Sequence, residues 1–201
     1  MANWDTYQNQ INKVRQEWDR AEPTLKRAEQ VCEKIIAPSI LELRYAGRRI
    51  VEGLNGIAEG LEEKEIQGYF QDAYFNCLRA RHDAIDAATS KIAIDLDIAA
   101  KQLGYGPITQ AFPKFSDLRL KLEDIRGKIV KSRGDREKRD EIYNGISENN
   151  FQEIVELYRE FQTSEPVMVS LATKQRRATS FGWVFGIAGL VGLVVGLVSI
   201  L

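Results

Sequence analysis

The chain has 201 residues, enough for one domain of ordinary size plus an appendage. Its 28 Lys and Arg against 29 Asp and Glu give a formal net charge of −1, so no global positive excess argues for nucleic acid as the main partner. Its two cysteines, Cys32 and Cys77, lack metal-ligand spacing and are too few for a disulfide framework; they are expected to be free core thiols, with no metal and no cofactor.

The N-terminal MANWDTYQNQ has neither a basic nor an apolar signal region, so no cleavable leader is expected. Mean hydropathy is −0.32 despite a strongly apolar end, which makes residues 1–180 a water-facing globular piece. Apolar spacing in that piece is helical almost throughout, and no useful run alternates with the period of a strand.

Residues 3–36 read as one or two helices, with Pro23 where a helix could restart. Pro38 permits a second helix through Leu61, with the stripe Ile40, Leu43, Gly47, Ile50, Leu54, Ile57 and Leu61. The longest helix is predicted from about Lys64 to Leu103. It is apolar on two sides, one running from Tyr69 through Cys77 to Ala87 and the other from Phe75 through His82 to Leu96, and therefore central. Gly104–Pro107 ends it, residues 108–113 connect, and Lys114–Val130 is helical again. Shorter helices follow near Arg136–Tyr143 and Glu148–Gln162. Thr163–Pro166 reads as a cap from which a last helix runs on to the end.

Phe181–Leu201 carries no charge, and its 21 residues at 1.5 Å rise span about 31 Å, the thickness of a bilayer's hydrocarbon core. Trp183 falls where an indole favours the headgroup boundary, and Lys174, Arg176 and Arg177 stand just upstream. This pattern places the globular part in the cytoplasm. Gly182, Gly186, Gly189, Gly192 and Gly196 stay within an arc of about 120° on one side of the helix. Two of their steps are GxxxG pairs, so close helix–helix approach is expected there, giving a homo-oligomer.

Phosphate-loop, nucleophile-elbow, HExxH and CxxC motifs are absent. His82, the one histidine, stands four residues before Asp86, and Arg79 four before Asp83. An imidazole beside a carboxylate can move protons near neutral pH, although a core histidine held by Asp86 explains the same residues. Arg44 and Arg48 share a face of the second helix and are expected to reach Asp83 or Asp86. The stretch Lys121–Arg139 is modestly basic, with eight Lys and Arg against four acids. It reads as a solvated face, or as one touching lipid headgroups or RNA phosphates.

ELRYAGRR, followed on a longer helix by AYFNCLRARHDAIDAA, resembles the small all-helical HEPN group of bacterial defence and toxin systems, over about residues 38–103. The resemblance implies a helical bundle. It also implies an RNA-cutting arginine followed by a histidine four to six residues later, a spacing that Arg79 and Arg81 do not give to His82. HEPN-like bundles joined to membrane helices further resemble a pore-forming accessory protein of antiviral systems.

The expectation is an all-α chain: an up-and-down helical bundle over 1–165, a basic juxtamembrane helix over 166–180 and a single transmembrane helix over 181–201. Its partners would be the lipid bilayer, further copies of itself and a cytoplasmic protein. The expected activity is that of a defence- or toxin-type effector that perturbs the membrane or forms a pore in it. The alternatives are a tethered HEPN-type RNase, with His82, Arg79, Arg44 and Arg48 as candidates and RNA as substrate, and a non-enzymatic adaptor.

Overall fold

The computed structural model describes the backbone of residues 4–135 and 138–198, and the side chains of residues 5–135 and 138–178. Those residues form an all-α fold. A single 3-10 turn at Trp4–Thr6 leads into α1 (Gln8–Cys32), α2 (Ala37–Glu59), α3 (Glu63–Leu103), α4 (Tyr105–Ala111), α5 (Phe115–Gly134), α6 (Arg139–Asn149) and α7 (Phe151–Val198). The chain divides into two compact units, Met1–Asp95 with Arg119–Glu156 and Leu96–Leu118 with Leu157–Leu201.

In the first unit α1, α2 and α3 pack around Tyr7, Val14, Ile57, Ile66, Phe70 and Ala73, with a second cluster at Ala21, Ala46 and Cys77. Pro23 does not restart a helix, because α1 runs through it. An interior proline costs about 3 kcal/mol in hydrogen bonding and sterics. Burial of Ala21, Thr24, Leu25 and Ala28 around it offsets that cost. The αL residue that ends α1 is Glu33, at φ 53° and ψ 27°, where glycine is the usual choice. Gly60 takes that role for α2 at φ 75°.

The face that α2 buries is rotated from the expected stripe. Ile40 and Leu54 remain 40% and 37% exposed, while Ser39, Ala46, Gly53 and Gly56 are buried. Small residues let α2 approach α3 closely. A Cβ on Gly53 would lie 2.9 Å from the Phe70 ring, and one on Gly56 3.1 Å from Ile66. Ile57 of the expected stripe is buried and Leu43 and Ile50 pack against the core, so the stripe is shifted toward the small residues rather than replaced. A shift also affects α3, where Phe75 is 42% exposed and the buried seam begins instead at Ile66 and Phe70.

The second unit is built around rings. Phe161 packs edge-on to Phe112 and stacks with Phe115 and Tyr158, at centroid distances of 5.9, 5.9 and 6.3 Å. α4 replaces most of the expected connection, burying Pro107 and Ile108. Thr163–Pro166 does not begin a new helix either, since α7 continues through it. The hydroxyls of Thr163 and Ser164 donate back to the carbonyls of Arg159 and Glu160, a mid-helix habit of these residues rather than a cap.

Among the residues whose side chains are described no helix is long and apolar enough to cross a membrane. The expected span Phe181–Leu201, with Trp183 and the five glycines from Gly182 to Gly196, lies outside the residues whose side chains are described.

Candidate functional site

Two of the predicted arginines meet in the first unit. A cleft of about 390 Å³ between α2 and α3 is lined by Tyr45, Arg48, Arg49, Asp72, Asn76 and Arg79. Arg48 comes from the ELRYAGRR stretch and Arg79 from the long helix. Arg49 is the residue that the sequence reading missed, although it adjoins Arg48. Arg44 is exposed one turn earlier on α2 and does not line the cleft.

Carboxylates match the cleft's positive charge. Arg48 Nε donates to Glu52 Oε1 at 2.9 Å and Arg49 Nη1 to Glu52 Oε2 at 2.7 Å, which together hold the Glu52 carboxyl below its usual range. Arg49 also lies 3.3 Å from Asp72 and over the Tyr69 ring at 5.7 Å. Arg79 donates to Glu42 at 2.9 Å and to Asn76 Oδ1. The expected reach of Arg44 or Arg48 to Asp83 or Asp86 is therefore replaced by pairs within α2 and by Glu42 to Arg79. A phosphate entering this cleft must compete with carboxylates already hydrogen-bonded to the guanidinium groups.

His82 does not line that cleft. It is buried, stacked on Tyr143 of α6 at a centroid distance of 3.8 Å and 18° between planes. Burial, with Arg81 and Arg139 nearby, pushes its imidazole down to about 3. Its Nε2 lies 3.8 Å from Asp140, beyond hydrogen-bond reach, and has no hydrogen-bond partner among the described residues. With a neutral ring this contact is not an ion pair. Asp86, expected to hold His82, instead accepts from Tyr143 Oη at 2.6 Å and faces Arg133 at 3.4 Å.

The residue before His82 is one that the sequence reading passed over. Arg81 is 0% exposed and Glu17 2%, and Arg81 Nε donates to Glu17 Oε1 at 2.5 Å. Arg81 Nη2 donates to Asn144 Oδ1 at 2.6 Å, so α1, α3 and α6 meet at one guanidinium. Burial pushes the Glu17 carboxyl up, against the lowering pull of Arg81 and Arg20. The available signal was position: Arg81 falls in register with Phe70, Ala73, Cys77, Ala84 and Ala88, all buried. A cation in an apolar register announces a buried partner.

Glu17 also lines a second, smaller cleft of about 200 Å³ with Lys13, Gln16, Arg20, Gln71 and Tyr74. Among the described residues no group of three His, Cys, Asp or Glu side chains could hold a metal ion. Cys32 and Cys77 are buried free thiols, and burial pushes Cys77 up to about 12.

In the Lys121–Arg139 stretch the described basic side chains largely meet neighbouring acids. Lys121 meets Glu153, Arg126 meets Glu123, Lys128 meets Asp124 and Lys138 meets Asp135. Of the basic residues expected beside the membrane, Lys174 and Arg177 are exposed, and Arg176 Nη2 donates to the Gln102 carbonyl at the end of α3.

Comparison of the chain with protein-family models, with curated proteins and with solved structures finds no match.

Proposed function

We propose that this chain is a membrane-anchored helical protein that self-associates through the glycine face of its C-terminal helix, and that the assembled tails act on the bilayer as a defence- or toxin-type effector. The observation that carries this reading is the continuity of α7. Ile154, Val155, Tyr158, Phe161, Met168 and Ala172 are buried, and the same helix continues without a break to Val198, into the charge-free stretch that begins at Phe181. A passive tether needs only a flexible linker, whereas a helix fixed by packing carries the position and rotation of its buried part into its tail.

The resemblance of residues 38–103 to HEPN bundles supplies the defence context. The tethered-RNase alternative draws no support from the geometry, because His82 is neutral, buried and outside the arginine cleft. The test replaces Gly186 and Gly192 together by Leu. The expected outcome is a smaller particle in detergent and loss of any toxicity on expression. Unchanged size and toxicity would refute tail-driven assembly. Rescue of a 181–201 deletion by an unrelated anchor would make the protein a tether instead.

A further inference from the structure

The second unit brings a distant piece of sequence beside the juxtamembrane cations. Arg176 Nη2 donates to the Gln102 carbonyl, and Gln175 lies against Gly106, where an added Cβ would sit 3.8 Å from Gln175 Oε1. The corner where α3 ends and α4 begins is thereby fixed against residues 175–176 of α7, five residues before the apolar stretch starts. Arg176 stabilises that corner physically. It supplies a donor and a positive charge to a helix C-terminus, whose last carbonyls lack partners within the helix.

Three exposed features flank this contact along the chain. Lys101 is exposed next to Gln102, Tyr105 is 58% exposed, and Lys174 and Arg177 are exposed on α7. The nearest acid on α3 is Asp97, one turn before Lys101, and no acid follows Glu165 on α7. Exposed lysine and arginine with a half-exposed tyrosine is the composition that settles at a headgroup boundary. The ring enters the interface there and the cations meet anionic phosphate.

We infer that the α3–α4 corner, through Lys101 and Tyr105, joins Lys174 and Arg177 in a two-segment contact with an anionic lipid surface that seats the second unit against the bilayer. This inference rests on the membrane-anchored reading. It adds that the anchor is not the sole lipid contact, and that a segment about seventy residues upstream in sequence shares it. The partner is the anionic leaflet surface, chosen by charge complementarity and by the short distance along α7 to the apolar stretch.

The test uses the full chain reconstituted into phosphatidylcholine vesicles, with or without phosphatidylglycerol, carrying Gln102→Cys as a probe. Gln102 is exposed and contributes only its backbone carbonyl to Arg176; the native thiols are buried. A membrane-impermeant thiol reagent reads access at position 102. Thr163→Cys, exposed on α7 about three turns before Lys174, is the control.

The expected result is labelling at position 102 slowed by about fivefold or more in anionic vesicles, at about fivefold per basic residue at the surface. High salt or Lys101→Glu should restore the rate, and Thr163→Cys should label equally in both lipids. Equal labelling at 102 in both vesicles, with the protein resistant to alkaline-carbonate extraction, overturns the corner contact and leaves the anchor standing. Extraction by carbonate overturns both.

Discussion

Arg81 and Glu17 offer the sharpest test of how this fold is held. Both are buried, they are joined at 2.5 Å, and the guanidinium has one further acceptor in Asn144. Glu17→Met strands a cation that no solvent reaches, and breaking a buried pair this way costs about 3–5 kcal/mol. Arg81→Met should cost less, about 2 kcal/mol. The abandoned carboxyl is already biased toward its neutral form by burial, and it keeps Arg20 at 3.8 Å. The double variant removes both charges. Asn144, half-buried, can turn to water, so the double should lie within about 1 kcal/mol of the parent. Urea unfolding of the full chain in mild detergent, followed by far-UV circular dichroism, gives the three values. The expected coupling is at least about 2 kcal/mol, and Glu17→Met should lower Tm by about 10 °C. Costs that add to within about 0.5 kcal/mol would mean that the two residues do not depend on each other, and the reasoning would fail.

His82 makes stability pH-dependent with a definite sign. Its folded value of about 3 lies below the ordinary 6.5, so the unfolded chain takes up the proton first and stability falls as pH drops through that window. The loss at pH 4.5 is about 2–3 kcal/mol, and His82→Gln should flatten that part of the profile; an unchanged slope refutes it. Gly53→Ala should cost about 1–3 kcal/mol by forcing its Cβ into the Phe70 ring, measured by the same unfolding assay; a neutral result would mean that α2 can move away. Glu33→Gly should stabilise by about 0.5–1 kcal/mol by relieving the left-handed conformation that ends α1, seen as a raised urea midpoint.

Helical periodicity fixed the long elements well, since they need only apolar residues at steps of three and four. The helix expected from Lys64 to Leu103 runs Glu63–Leu103, although at 41 residues it is not the longest, since α7 has 48. What failed shared one cause: local signals were outweighed by packing. Pro23 and Pro166 read as helix starts and are interior, because buried neighbours hold both sides of each. The buried face of α2 is marked by Ser39, Ala46, Gly53 and Gly56, whose small size is a packing signal that hydrophobicity alone does not register. Arg48 and Arg79 were legible as separate candidates, and their meeting in one cleft was not. Their carboxylate partners were not, because Glu42 and Arg79 are 37 residues apart and only the closure of α2 on α3 joins them.

The electrostatics of the described residues bear on whether this chain performs chemistry. A catalytic site lowers the pKa of its nucleophile and holds its acid or base near the working pH. Three of the buried groups here, Cys77, His82 and Tyr143, move the opposite way, whereas the Glu17 carboxyl is raised. The Cys77 thiol is pushed up to about 12 and the His82 imidazole down to about 3, while burial and a bond donated to Asp86 raise Tyr143. Burial is the leading cause in all three, and the arginines of the cleft are already paired with Glu42, Glu52 and Asp72. Shifts of this kind stabilise a neutral, close-packed interior and make the same groups poor reactants. Activity in such a chain is better sought where its helices present surface: at the exposed corner beside Arg176 and along the helix that leaves it.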